Sequence, residues 1–130
     1  MQNTVWFRRS LFALALSFAG LMSGCGRSTV TSSVYLTWRI VDAKEPDANV
    51  APALDCSSKN VKWVRVQLAG AQPFDFPCTA YSGESTSFES GTYVVDVMAL
   101  NPTGQAVAAK RSTMDLFGRM NLGNFIFQVQ

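Results

Sequence analysis

Few residues in this chain could carry chemistry, and their types exclude more than they permit. There is no histidine, so neither a Ser-His-Asp nor a Cys-His nucleophile can be assembled. The usual general base near neutral pH is missing, and a zinc site loses its favoured nitrogen ligand. Three cysteines stand at positions 25, 56 and 78, too few for a four-ligand zinc site and without the C-x-x-C spacing of a redox pair. Carboxylates alone could serve a glycosidase, and the one dense acidic stretch holds Asp42, Glu45, Asp47 and Asp55. Lys44 and Pro46 interrupt it, and the regular D-x-D-x-D-G spacing of a calcium loop is absent, so the stretch reads as a solvated loop. Among the aromatics, Trp38 shares a strand face with Val34, Leu36 and Ile40 and belongs to the core. Trp63 falls on the face of Arg65 and Gln67, opposite Val64 and Val66. It therefore either lies under the loop 42–60, the favoured expectation, or joins Arg65 as a contact to a partner. Arg39, Lys62 and Arg65 form no basic stripe with aromatics at nucleic-acid spacing. No catalytic residue, metal site or cofactor is expected.

Cys25 takes its meaning from what precedes it. Arg8 and Arg9 supply a positive flank, Leu11 to Met22 form an apolar run of 12 residues, and the small residues Ser23 and Gly24 follow. Twelve residues suit the core of a signal peptide, whereas crossing a bilayer takes about 20. Leu21-Met-Ser-Gly-Cys25 resembles the bacterial lipobox, in which a small residue directly before Cys marks both the cleavage point and the modified thiol. Met22 stands where that motif more usually has Leu. The resemblance implies a helical signal peptide over residues 1–24 and lipid, including an N-acyl chain of the palmitate type, on Cys25. One acyl chain holds a protein to a membrane only marginally, whereas two or more anchor it stably. Gly26 replaces the Asp that retains such proteins at the inner membrane, which implies the outer membrane of a bacterial cell envelope. Arg8-Arg-Ser-Leu-Phe12 is also similar to part of a twin-arginine signal, although Phe7 stands where that motif prefers Ser or Thr. Export before folding, with oxidation outside, suits a disulfide-bonded domain better.

With Cys25 assigned to lipid, Cys56 and Cys78 remain, and outside the cytoplasm such a pair is expected as a disulfide. Closing the loop between them contributes about 3 kcal/mol in the chain-entropy model. The net charge of +2 belongs to the leader. Residues 25–130 hold four Lys and five Arg against six Asp and three Glu, net zero. A neutral domain has no electrostatic drive toward nucleic acid or an anionic membrane surface.

The elements that must position these residues have a period of two. Residues 25–33 read as the lipidated Cys and a short polar tether, and 34–130 as one domain. Val34, Leu36, Trp38 and Ile40 alternate with Tyr35, Thr37 and Arg39, the mark of a half-buried strand. Residues 42–60, with Pro46 and Pro52, form a long loop. A second strand covers 61–68, with Val64, Val66 and Leu68 inward. Pro77 places the short strand 74–78 at an edge, and 85–89 is another short strand. The stretch 91–101, apolar on both faces except at Asp96, is central, and 105–112 follows the turn at Pro102-Thr-Gly104. Residues 113–121 are ambiguous in period, and Met114-Asp-Leu-Phe-Gly118 could form a single helical turn. Residues 124–130 close the chain with Phe125, Phe127 and Val129 inward. About seven short strands with Gly and Pro turns predict an all-β antiparallel sandwich.

Tyr93, Val95 and Val97, alternating between Gly91 and Gly104, are similar to strands of bacterial sandwich domains of the carboxypeptidase-regulatory and transthyretin-like type. That resemblance implies a transthyretin-like or immunoglobulin-like architecture, and no activity. The expected function is a non-catalytic, membrane-anchored interaction or structural module meeting another envelope protein. The alternative is a carrier for a small ligand, a sugar or a lipid, bound around Trp63 and the loop 42–60.

Overall fold

A computed structural model describes residues 29–130. Cys25, the leader and the first part of the tether lie outside the described residues. Eight strands form two four-stranded sheets. They are β1 (Thr31–Asp42), β2 (Trp63–Leu68), β3 (Phe74–Pro77), β4 (Ser82–Glu84), β5 (Phe88–Glu89), β6 (Gly91–Leu100), β7 (Ala106–Leu116) and β8 (Gly118–Val129). Short 3-10 turns over Cys56–Lys59 and Cys78–Ala80 complete the inventory. In the first sheet β1 is central, with β8 along one edge and β4 then β5 along the other. The second sheet runs β3-β2-β6-β7 and is antiparallel throughout.

The alternation in β1 and β2 translates directly into layers. Val34, Leu36 and Ile40 are buried from β1 beside Trp38, and they face Val64, Val66 and Leu68 of β2 and Val95, Val97 and Ala99 of β6. Trp38 is 3% exposed, and its indole N–H donates to the Cys78 carbonyl at 2.9 Å, which satisfies the one polar atom such a side chain brings into a core. β6, paired on both sides, is the centre of its sheet as its apolar pattern predicts. Phe127 and Val129 are buried, and Phe125 is half-buried against the same core.

Several expectations are corrected. The pairing is not wholly antiparallel: β1 and β8 run parallel from Ser32↔Gly118 to Asp42↔Val129, with a bulge at Tyr35/Leu36. A parallel pair needs a long crossover, and here everything between β1 and β8 supplies it. The eight strands fit the expected all-β sandwich of about seven, but β1, β7 and β8 are not short and run to 12, 11 and 12 residues. Residues 113–121 are not helical. β7 continues to Leu116, Gly118 turns the chain with φ 70°, and β8 begins at once. β1 starts at Thr31, inside the stretch assigned to the tether, because Ser32 is buried and donates to the Leu116 carbonyl at 3.1 Å. Of the strand expected at 85–89 only Phe88–Glu89 is extended, as β5, and a separate short strand, β4, precedes it at Ser82–Glu84. Ser85 sits between them, buried, exchanging backbone and side-chain hydrogen bonds with Val34.

Candidate functional site

The loop between β1 and β2 packs over the end of β1 farthest from the N-terminus. Arg39 holds it there: the guanidinium donates to the carbonyls of Ala48, Asn49 and Ala51 at 2.9, 2.6 and 3.3 Å. The loop then returns to β1 through an isolated bridge between Leu54 and Ile40, so Val41, on the outer side of β1, is fully buried. The loop's acidic residues do not converge. Asp42 accepts from the Lys44 backbone N–H at 2.9 Å and pairs with Lys59 at 3.2 Å. The backbone N–H lowers the Asp42 pKa most, with Lys59 next. Asp47 accepts from the Asn49 N–H. Among the described residues no three His, Cys, Asp or Glu lie close enough together to hold a metal ion. Nor is any helix long and apolar enough to cross a membrane.

The loop ends in the 3-10 turn at Cys56, where the disulfide forms. Cys56 and Cys78 are both buried and joined, with Cα atoms 6.0 Å apart. The bond ties the end of the loop to the end of edge strand β3, directly beside Trp63. Trp63 is half-buried, opposite Pro77 on one side and Leu100 on the other. The body of the loop is bonded to Arg39, and its last turn, from Cys56 to Asn60, lines the same cleft as Trp63. Lys62 Nζ lies 5.6 Å from the ring centroid. Together they border an open cleft of about 420 Å³ whose walls include Ser57, Asn60, Thr79 and Pro102. Asn60 adopts the left-handed region with φ 55°, and the cap it forms shapes that wall.

Arg65, on the same face, is drawn away from this cleft. It forms a two-bonded pair with Asp75 at 2.6 and 2.8 Å, which lowers the Asp75 pKa through the hydrogen bond and raises that of Arg65. Its charge is matched within the sheet, so Trp63 and Arg65 do not form one contact pair. Sequence reasoning had no means to see Arg39 as the residue that fastens the loop, because its partners are backbone carbonyls. The stacking of Lys62 had a signal in its adjacency to Trp63.

The two long edges differ. β7 carries Lys110, Arg111 and Asp115, whereas from Met120 to Val129 β8 has no charged residue. Among the described residues β8 pairs only with β1. No protein-family model matches the chain, and no curated protein matches it.

Proposed function

We propose that the protein is a lipid-anchored, non-catalytic interaction module of the bacterial cell envelope, held through Cys25 at the outer membrane. What carries the reading is the join between a lipobox-like leader and a disulfide-stapled sandwich, with only five residues between Cys25 and the first residue of β1. The contact surface is the free edge of β8. Edge strands are normally blunted by charge, proline, bulges or short length. β3 ends in proline, β4 and β5 are three and two residues long, and β7 is charged. Past its bulge at Leu122 the β8 edge runs uncharged from Gly123 to Val129, which suits addition of a strand from a partner protein. In cells, Cys25→Ala is expected to block maturation or release the protein from membranes. Asn124→Lys and Gln128→Lys, both at exposed positions, should leave the protein anchored and folded while removing crosslinks to its partner. A Cys25→Ala protein that retains an acylated N-terminus, or Lys variants with unchanged crosslinks, would each remove one half of this reading.

The second reading, a carrier for a small ligand, is favoured by the Trp63 cleft. An aromatic ring beside Ser57, Asn60 and Thr79 offers an apolar platform with hydrogen-bonding groups at its rim. Saccharide titration that shifts Trp63 emission in the intact protein, and no longer does so after Trp63→Ala, would support it.

A further inference from the structure

We propose that the pole of the sandwich from which the N-terminal segment departs is a membrane-contacting surface, with Phe117 and Val30 seated in the lipid interface beside the anchor. The inference rests on the lipid-anchored reading and adds a second attachment and an orientation to it. Val30 is 63% exposed and Phe117 60%. Ser32 is the register partner of Gly118, so the two parallel strands start side by side, with Phe117 just before one and Val30 two residues before the other's partner position. Apolar exposure occurs elsewhere, at Val50 on the opposite loop and, to a lesser degree, at Tyr81 and Val94. Only Val30 and Phe117 coincide with the path of the anchor.

The length of chain outside the structure fixes which pole faces the lipid. Five residues, and so six Cα–Cα steps, lie between Cys25 and Thr31, and a fully extended residue spans at most about 3.6 Å. Acyl chains on Cys25 therefore hold this pole within roughly 20 Å of the bilayer. The corner that presents Phe117 is also fixed. Leu116 before it is fully buried, with its carbonyl bonded to the Ser32 hydroxyl, and the Phe117 N–H donates to Met120 Sδ at 3.3 Å. A ring held outward in this way presents apolar surface ready for an interface.

Charge does not drive the contact. Arg119 is paired with Glu84, which leaves Asp115, accepting from the Thr92 hydroxyl, and Glu89 as acidic groups without a cationic partner among the described residues at this pole. Zwitterionic lipid is therefore sufficient. With this pole down, the stretch of β1 from Thr31 to Trp38, whose indole bonds the Cys78 carbonyl, carries the Trp63 cleft, the disulfide and the Arg39-held loop about 25 Å outward, free for other contacts.

The test uses the processed, acylated protein purified from membranes and placed in phosphatidylcholine vesicles. Phe117→Trp and Val30→Trp are expected to give blue-shifted emission that brominated phosphatidylcholine quenches. The wild type, with Trp38 buried in the core and Trp63 at the far pole, should show core emission that brominated phosphatidylcholine does not quench. Protein that is acylated and sediments with the vesicles, yet shows no shift or quenching at either position, overturns the surface and leaves the anchor standing. Protein without acyl chains that neither sediments nor is quenched overturns the anchor and this surface together.

Discussion

At Gly83, in β4, the lack of a side chain lets the two sheets close. A β-carbon built there would lie 2.5 Å from Cγ of Phe76, whose ring leans from β3 across the open side of the sandwich and stacks near Trp38 at 6.2 Å. Gly83→Ala is expected to destabilise by about 1–3 kcal/mol, the range for overpacking a formed core. Phe76→Leu should recover part of that loss in the double variant, so denaturant melts of the four proteins give a coupling energy. An additive cycle would mean the ring moves aside freely. Arg39 makes the complementary case, in which a charged side chain is held by carbonyls rather than by an acid. Its Nε is buried without a partner among the described residues, so part of its hydrogen-bonding capacity is lost to fasten the loop. Arg39→Met keeps the aliphatic stem and removes three donated bonds. Amide exchange over residues 43–55 should quicken while β6 exchanges as before; protection unchanged in the loop would show that other contacts hold it.

Among the elements, strands and their inward faces were legible because burial on one side forces alternation, as at Val34, Leu36, Trp38 and Ile40. Pairing was not. Alternation states which residues face inward but not which strand lies alongside, so nothing in the sequence of β8 distinguishes the parallel edge of β1 from any other neighbour. The corner at 113–121 was ambiguous for a related reason. Leu116 is buried and Phe117 exposed in successive positions while Gly118 turns the chain, and so short an apolar cluster has no period to identify it. The candidate site was half legible: Trp63 stood out as an aromatic on the outer face, but the loop that should have covered it is held elsewhere by Arg39. The Cys56–Cys78 bond is the element-level constraint with the largest expected effect. It joins the end of the long loop to the end of β3, an edge strand of only four residues. Replacing both cysteines with Ala is expected to cost about 2–5 kcal/mol. Exchange should rise first in β3 and around Trp63, the elements that the bond clamps. A uniform loss across β6 and β1 would instead make the bond a global constraint on the unfolded chain.

For the molecule as a whole, the ion pairs act as cross-links between neighbouring strands. Arg65 meets Asp75 directly across β2 and β3, and Arg111 meets Asp96 across β6 and β7. Arg119 reaches Glu84 over β1, with its guanidinium 5.8 Å from the Tyr35 ring centroid. Lys59 ties the loop to Asp42. In each pair but the last, the hydrogen bond from the basic side chain is the main cause holding the carboxyl pKa below its ordinary value; at Asp42 the Lys44 N–H comes first. A carboxyl with a depressed folded pKa contributes stability that is fully present above its unfolded pKa, about 4. That stability is lost as pH falls through the folded value. All four acids are solvent-accessible, so each contribution is small and salt-sensitive, but their signs agree. With no histidine in the chain, no side chain of ordinary pKa changes charge between about pH 5 and 8. Urea unfolding midpoints are therefore expected to coincide at pH 5.5 and 7.5. Below pH 4 they should fall, and the fall should be shallower in high salt, where the pairs are already screened. A midpoint that drifts steadily between pH 5.5 and 7.5 would require a titrating group that these four pairs do not contain.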